Sequence, residues 1–204
     1  MQLLSKLPLT AAILAGGKSS RMNMPKCLIP LENTKIIDIL ISKLKGIFEE
    51  IFIVTNFPEL YFYTGIQMIG DIYPFKGPMA GIHSALKNSK YDVMAFACDM
   101  PFIRQEIIYK LFETHYSKNK TATVPLFDDK IYPLPGIYSK KLLNTIEGLL
   151  IEDKLSMRKL LDDVGAYVIE VANLDKEGVS FININTFEDL EILKSKKGGI
   201  LCLD

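Results

Sequence analysis

The sequence predicts an α/β domain with three layers, α/β/α, built on a mostly parallel sheet with a short antiparallel edge. Apolar runs of strand length alternate along the chain with segments of helical period, which is typical of a parallel sheet covered by helices. The segment Thr121–Tyr138 departs from this pattern, and prolines at 133 and 135 suit the edge of a sheet. We expect one domain over residues 1–204, with a frayed tail from about 195 to 204.

The individual elements follow from these patterns in chain order. Short apolar runs that end in turn-forming residues predict strands at Thr10–Leu14, Ile51–Thr55, Gln67–Ile69, Val93–Ala97, Thr123–Pro125, Ile131–Tyr138, Tyr167–Val171 and Ser180–Ile184. Apolar residues at helical spacing predict helices at Ile36–Phe48, Met79–Asn88, Arg104–Tyr116, Lys140–Leu150 and Ser156–Val164. A last helix is expected to begin at Thr186, because T-F-E-D fits a capping box.

The composition argues against several classes of protein. Lysine plus arginine and aspartate plus glutamate both number 24, so the net charge is zero and no nucleic-acid partner is expected. The apolar runs are about six to eight residues long, far below the roughly 20 that span a bilayer, so no membrane association is expected. The N-terminus is a poor signal peptide. The three cysteines lie far apart without a C-x-x-C pair, so we expect no metal cluster or disulfide framework, and isolated thiols suit a reducing cytoplasm.

The chain is organised around the loop that follows the first predicted strand. Leu14–Lys26 reads L-A-G-G-K-S-S-R-M-N-M-P-K, and it matches neither a Walker A loop nor a dinucleotide fingerprint. Gly16 and Gly17 allow the backbone to approach an anion closely, while Arg21 and Lys26 supply positive charge. The pattern therefore favours a phosphate-binding loop. A plain glycine turn with solvated lysines is the alternative.

Two aspartates follow predicted strands. Asp99 ends the apolar run that begins at Val93, and Asp71 follows Gln67–Ile69. Ligands of open parallel sheets bind outside the carboxyl ends of the strands, so both side chains are expected on the same rim as the loop. A carboxylate there can hold Mg²⁺, which in turn binds phosphate oxygens. The alternative for each aspartate is to cap the next turn.

Two further motifs offer polar groups. Gly77–Leu86 reads G-P-M-A-G-I-H-S-A-L and contains a predicted helix start, which favours an anionic or polar ligand group. Asn183 and Asn185 are two residues apart on a predicted strand and would point the same way. A plain turn into a helix and a pair of capping side chains are the alternatives. His83 and His115 are not spaced for a metal site.

These motifs occur in one order that resembles the molybdenum cofactor guanylyltransferase family of nucleotidyltransferases. The motifs are L-A-G-G-x-S-x-R-M…K, G-P-M-A-G, C-D-M-P-F and N-I-N-T-F-E-D-L, and the resemblance covers residues 14–190. It implies a Rossmann-like nucleotidyltransferase sheet and transfer of GMP from GTP to molybdopterin (molybdenum cofactor). The products are the guanine dinucleotide cofactor and pyrophosphate. It also implies Mg²⁺, a cytoplasmic location, and cofactor-biosynthesis or acceptor proteins as further partners.

The resemblance also implies roles for individual residues. Those expected to bind the nucleotide are Leu14, Ala15, Gly16, Gly17, Lys26, Asn56, Asp71, Gly81 and Asp99. Asn183 and Asn185 are expected to face the pterin. The catalytic residues are expected to be Arg21, Lys26 and Asp99, with Asp99 as the Mg²⁺ ligand.

The chain departs from the family pattern within the loop. Asn23 and Pro25 stand where the family usually has glycine and aspartate, and Tyr132–Pro135 is an unusual version of the later strand segment. Asparagine tolerates a positive φ, whereas proline removes a carboxylate and a backbone donor. The alternatives are CTP in place of GTP, a sugar phosphate as acceptor, and a non-catalytic nucleotide-binding or partner-binding module.

Overall fold

A mostly parallel sheet forms the centre of the computed structural model, which describes residues 5–16, 25–31, 33–185 and 189. The strands are β1 (Leu7–Leu14), β2 (Pro30–Leu31), β3 (Thr34–Lys35), β4 (Phe48–Val54), β5 (Gln67–Ile69), β6 (Val93–Ala97), β7 (Ala122–Phe127), β8 (Lys130–Ile131), β9 (Gly136–Tyr138) and β10 (Tyr167–Glu170). The helices are α1 (Ile36–Lys45), α2 (Gly77–Asn88), α3 (Gln105–Ser117), α4 (Leu143–Ile151) and α5 (Met157–Asp163).

The strand order of the main sheet is β10-β7-β9-β6-β1-β4-β5, and β8 pairs with β7 outside this path. Strands β6, β1, β4 and β5 are mutually parallel, with β1 at the centre of this group. Its residues pair on one side with β4, from Thr10 with Glu50 to Leu14 with Val54. On the other side they pair with β6, from Thr10 with Val93 to Leu14 with Ala97. The mostly parallel sheet is confirmed.

The helices cover both faces of the sheet, because side chains of successive strand residues point to opposite faces. Ile13 of β1 and Phe96 of β6 belong to the core under α1 and α3. Ala12 and Ala95 belong to the core under α2, α4 and α5. The predicted three-layer arrangement is therefore present. Among the described residues, no helix combines the length and apolar character needed to cross a bilayer.

The antiparallel part of the sheet is not confined to the predicted edge, because it also includes a strand in the interior of the sheet. Strand β7 turns into β8 through Asp128 and Asp129, which have φ values of 50° and 55°. Positive φ at both central residues is what a two-residue hairpin turn of type I′ requires. Strand β9 then enters the sheet between β6 and β7, antiparallel to both.

Three predicted elements differ from the structure. The predicted strand Ile131–Tyr138 is two strands, β8 and β9, because residues 132–135 include two prolines, which lack the backbone N–H that a ladder needs. The predicted helix Ile36–Phe48 ends at Lys45, since Phe48 begins β4. Residues 180–184 form no strand; a 3₁₀ turn runs over Val179–Phe181 after Gly178, which has a φ of 66°. The predicted helix that begins at Thr186 and the predicted tail lie outside the described residues. The extent of the domain, residues 1–204, stays a prediction.

The close packing of β9 gives a testable prediction about stability. A Cβ added to Gly136 would lie 2.5 Å from the backbone oxygen of Pro133, which cannot move aside as a side chain could. We expect Gly136→Ala to lower the free energy of unfolding by about 1–3 kcal/mol, measured by urea denaturation. The matched control is Gly148→Ala in α4, where no atom lies within 4 Å of the new Cβ. A helix interior should gain about 0.5–1 kcal/mol from that change. Equal effects of the two variants would contradict the packing argument.

Candidate active site

The carboxyl ends of four parallel strands meet at one edge of the sheet, and the functional side chains follow them directly. Ala15 and Gly16 follow β1, Asn56 follows β4 after one residue, and Asp99 follows β6 after one residue. The backbone ladder continues beyond the strands, since the Ala15 N–H donates to the Val54 carbonyl at 2.9 Å. Hydrogen bonding between the strands therefore sets the spacing of these side chains.

A cleft of about 570 Å³ opens at this edge. This volume lies within the usual range of ligand pockets, roughly 300–1,000 Å³. The residues that line it are Leu14, Ala15, Gly16, Pro25, Lys26, Cys27, Val54, Asn56, Phe57, Asp71, Phe75, Gly77, Pro78, Gly81, Ala97, Cys98, Asp99 and Leu134.

At one end of the cleft, Lys26 faces Asp99. The Lys26 Nζ lies 3.9 Å from the Asp99 Oδ2 and donates a hydrogen bond to the Asn185 Oδ1. The backbone N–H of Ile184 donates to the Asp99 carbonyl at 2.8 Å, which holds the segment that carries Asn185 against the end of β6. Burial raises the pKa of Asp99, and the nearby Lys26 opposes that rise. This end presents one cation and one carboxylate that burial makes easier to protonate.

At the other end, Asn56 and Asp71 form a doubly hydrogen-bonded pair. The Asn56 Nδ2 donates to the Asp71 Oδ2 at 2.9 Å, and the Asp71 backbone N–H donates to the Asn56 Oδ1 at 3.0 Å. The Asp71 Oδ2 lies close to Gly16, where an added Cβ would be 3.9 Å away. The pair therefore fixes polar groups beside the backbone that follows β1.

Helix α2 begins at the wall of the cleft. Gly77 and Pro78 form its first turn, with Gly77 at a φ of 70°, and both line the cleft. Gly81 allows the helix to approach β1, because an added Cβ would lie 2.9 Å from a methyl carbon of Leu14. The first turn of a helix leaves backbone N–H groups unpaired and favours negative charge. This wall suits an anionic or polar ligand group.

The burial of Asp71 predicts a pH effect on stability. Desolvation raises the pKa of Asp71 above its ordinary 3.8, and the hydrogen bond from Asn56 opposes that rise. The folded protein therefore holds this proton to a higher pH than the unfolded chain, and wild-type stability falls as the carboxylate ionises. We expect Asp71→Asn to gain stability relative to the wild type as pH rises from 3 to 7. Urea denaturation at both pH values measures this difference, and a constant difference would contradict the prediction.

Most of the predicted site residues come together here. Those that line the cleft are Leu14, Ala15, Gly16, Lys26, Asn56, Asp71, Gly81 and Asp99. Asn185 binds Lys26 but does not line the cleft, and Asn183 is exposed away from it. Neither asparagine lies on a strand. Gly17 and Arg21 lie outside the described residues, so their roles stay predictions.

The structure corrects the prediction about the cysteines. Cys27 and Cys98 form a disulfide, with their Cα atoms 5.4 Å apart and a sequence separation of 71 residues. Both are almost fully buried and both line the cleft. The sequence predicts isolated thiols, because the three cysteines lie far apart in the chain. The approach of the two cysteines depends on where the 3₁₀ turn Lys26–Leu28 packs in the core, which the sequence pattern does not give.

Two aromatic residues at the mouth of the cleft were also missed. Phe57 is 44% exposed and Phe75 is 71% exposed, and both line the cleft. Phe75 has a φ of 63°, a conformation that bulky side chains rarely adopt. Such a conformation at a cleft is a sign of function. The sequence signal for each was weak, because both occur in turn segments rich in proline.

The donor groups suit a metal that is shared with a ligand. The described residues contain no group of three histidine, cysteine, aspartate or glutamate side chains that would form an all-protein site. Mg²⁺ is commonly bound through one or two carboxylates together with substrate phosphates. Asp99 at the cleft wall, with 21% of its side chain exposed, provides one such carboxylate. The residues present therefore fit Mg²⁺ that arrives with a phosphorylated ligand.

A mostly parallel α/β sheet with a cleft at its carboxyl edge is the arrangement of Rossmann-like nucleotide-binding proteins. The match to a family confirms the class: residues 11–168 match the MobA-like NTP transferase domain, so the chain belongs to that family. The predicted family and the predicted enzyme class are both confirmed.

Relatives support the same assignment over most of the chain. A probable molybdenum cofactor guanylyltransferase of Clostridium perfringens (strain 13 / Type A) is 37% identical, over 92% of this chain and 97% of its own. The molybdenum cofactor guanylyltransferase of Syntrophotalea carbinolica is 32% identical, over 94% and 93%. The crystal structure of molybdopterin-guanine dinucleotide biosynthesis protein A from Archaeoglobus fulgidus has a TM-score of 0.80 at 25% identity, over 93% and 100%.

Proposed function

We propose that the protein transfers GMP from GTP to molybdopterin and releases pyrophosphate in a Mg²⁺-dependent reaction. The observation that carries the proposal is the cleft in which Lys26 faces Asp99 at 3.9 Å, opposite the Asn56–Asp71 pair. The names of the relatives supply the donor and the acceptor. A reaction that consumes GTP also favours the cytoplasm, where nucleoside triphosphates are made.

The proposed reaction depends on charge neutralisation more than on proton transfer. A phosphate oxygen of molybdopterin forms a bond to the α-phosphorus of GTP, and the bond from that phosphorus to the bridging oxygen of pyrophosphate breaks. Because the nucleophile is already anionic, no strong general base is needed. Among the described residues, no histidine lines the cleft, which agrees with this requirement. Positioning and electrostatic stabilisation then provide the catalysis.

Lys26 and Asp99 have complementary roles in this proposal. The Lys26 ammonium lies at the cleft wall and would bind phosphate oxygens of GTP through charge-assisted hydrogen bonds. Asp99 would hold Mg²⁺, which supplies further neutralisation of the triphosphate when bound. Arg21, in the loop before Lys26, is proposed as a second cation for the leaving pyrophosphate.

The opposite end of the cleft is the proposed nucleoside site. Asn56 and Asp71 fix each other's orientation, so their remaining hydrogen-bonding capacity points in a defined direction. Phe57 directly follows Asn56, and both Phe57 and Phe75 are exposed aromatic residues that line the cleft. Aromatic side chains stack on all bases, whereas polar pairs discriminate among them. We therefore assign base selection to the Asn56–Asp71 pair.

The acceptor site is proposed at the side of Lys26 that carries Asn185. The Asn185 oxygen accepts from Lys26, so Asn185 helps to orient the cation toward the cleft. Asn183 is exposed nearby in the chain and is available to a ligand that extends beyond the cleft. Proteins that make or receive the cofactor are proposed as further partners.

The experiment is a pyrophosphate-release assay with purified protein, Mg²⁺ and molybdopterin. We expect release with GTP and little with CTP or ATP at equal concentration. Faster release with CTP would replace the donor in the proposal, and release only with a sugar phosphate as acceptor would replace the acceptor. The absence of release with every combination, from a protein that still binds GTP in calorimetry, would favour the non-catalytic alternative.

A further inference from the structure

The disulfide joins the two segments that carry the charged pair of the cleft. Cys27 directly follows Lys26, and Cys98 directly precedes Asp99. The Lys26 Nζ and the Asp99 Oδ2 are 3.9 Å apart. The covalent link therefore lies one residue from each member of the pair.

Other interactions of the Lys26 segment are mostly local. The Leu28 N–H donates to the Pro25 carbonyl at 2.9 Å, and the Ile29 N–H donates to the Lys26 carbonyl at 3.1 Å. The Ile29 carbonyl accepts from Ile36, which ties the segment to α1 and not to β6. Within the part of the chain that is described, the disulfide and the Lys26 side chain link the segment to the end of β6. Ile29 and Leu31 add apolar packing in a small core that includes Phe102.

Burial keeps the segment in the fold without fixing the cation. Cys27 and Ile29 are 3% and 0% exposed, so their apolar contacts hold the backbone against the core. The Lys26 side chain is long and 41% exposed, so the hydrogen bond to Asn185 is a single contact on a side chain with many rotamers. Loss of the disulfide would leave the protein folded while the position of the ammonium group becomes less well defined.

We propose that the Cys27–Cys98 disulfide is a redox-controlled positioning bond that holds Lys26 opposite Asp99. For its nucleotide readout the inference rests on the proposed function. A dithiol reductant breaks the bond: one of its thiolates attacks a sulfur of the disulfide, and two electrons and two protons pass to the protein. The protein then carries two thiols, and the reductant becomes a disulfide.

The oxidised protein binds nucleoside triphosphate more tightly, because the cation is already in place. In the reduced protein the ligand must immobilise the Lys26 side chain as it binds. The ordering of one long side chain weakens affinity by about 2- to 10-fold.

Nucleotide binding and oxidation of the cysteine pair are thermodynamically linked, so each affects the other equally. If oxidation tightens nucleotide binding by some factor, the nucleotide stabilises the disulfide against reduction by the same factor. A 10-fold effect corresponds to a shift of about 30 mV in the reduction potential of the pair. Both cysteines line the cleft, so a bound nucleotide also covers the route by which a small reductant reaches them.

The test compares oxidised and dithiothreitol-reduced full-length protein carrying Cys202→Ser, so that only the pair responds. Thiol labelling and mass spectrometry count the free thiols, and calorimetry measures affinity for GTP with Mg²⁺. We expect 2- to 10-fold weaker binding after reduction. The double variant Cys27→Ala/Cys98→Ala should bind GTP with the affinity of the reduced protein, and the reductant should not change that affinity. In a Lys26→Ala background reduction should not change affinity, because the bond acts through Lys26.

Three results would overturn the inference: two free thiols that persist after treatment with diamide, equal GTP affinity in both redox states, or an equal response to reduction with and without Lys26. Amide hydrogen exchange of residues 25–31 gives a readout that needs no nucleotide, and reduction should speed it. If GTP binds neither form but exchange responds to reduction, the proposed function fails and the positioning bond stands.

Discussion

Replacing Asp99 with asparagine is expected to abolish Mg²⁺-dependent nucleotidyl transfer while the protein stays folded. Asparagine keeps the size of the side chain but removes the charge that would hold the metal beside the phosphates. Loss of preorganised charge stabilisation at a reacting centre lowers kcat by about 100-fold or more. Pyrophosphate release at saturating GTP and Mg²⁺ measures the effect. Activity close to that of the wild type would remove Asp99 from the metal site.

Stability serves as the internal control for this variant. Burial raises the pKa of Asp99, so the ionised carboxylate is unfavourable in the folded state at neutral pH. Its pairing with the 41% exposed Lys26 at 3.9 Å is screened by solvent and contributes little. We therefore expect the midpoint of thermal unfolding at pH 7 to hold or rise in Asp99→Asn. Glu59→Gln, which removes an exposed carboxylate outside the cleft, should change neither activity nor midpoint.

Lys26→Ala is expected to weaken GTP binding by about 1–3 kcal/mol, the range for losing a hydrogen bond to a charged group. The ammonium is the described cation that lines the cleft, and Asn185 directs it. Titration calorimetry with GTP and Mg²⁺ measures the loss. Lys45→Ala, at the exposed end of α1, is the matched control and should leave the titration unchanged. Equal affinity of Lys26→Ala and the wild type would refute the assignment of Lys26 to the phosphates.

The two substitutions should not be independent. Lys26 lowers the pKa of Asp99, so its removal leaves the raising effect of burial unopposed. The Lys26→Ala variant should therefore need a higher pH to bind Mg²⁺ together with nucleotide. A double-mutant cycle with Asp99→Asn separates this coupling from the direct loss of the phosphate contact.

The main features of the site could be predicted because parallel strands bring distant residues to one edge. Asp71 and Asp99 each follow an apolar run, and the run at Thr10–Leu14 leads into Gly16. Once the sheet is parallel, these positions must converge at the carboxyl ends of the strands. The structure brings together all three, with Lys26 and Asn56.

The wrong strand at Ser180–Ile184 shows what a local pattern omits. A short apolar run predicts a strand here, but the segment is held by distant polar groups. The Ser180 hydroxyl accepts from the Arg104 backbone N–H at 3.0 Å, and the Ser180 N–H donates to Asp175 at 2.7 Å. These contacts fasten the turn to the start of α3 instead of to a neighbouring strand. Neither contact is visible in the spacing of the residues along the chain.

The disulfide and the two phenylalanines at the mouth of the cleft could not be predicted, for a related reason. Cys27 and Cys98 are 71 residues apart, and their approach depends on which strand lies beside β1 and on where the 3₁₀ turn Lys26–Leu28 packs. Phe57 and Phe75 lie in irregular segments whose direction no periodicity gives. The polar groups that directly follow strands can be predicted from the sequence. The positions of groups that depend on strand order or on loop conformation cannot.

The central place of β1 has a consequence for the synthesis of the chain. The partner strand β6 begins about 80 residues after β1 ends. Synthesis at 5–20 residues per second therefore delays β6 by roughly 4–16 s relative to β1. During that interval one edge of a buried strand has no native partner and is open to pairing with other chains. The nascent chain is therefore expected to need chaperone protection until β6 emerges.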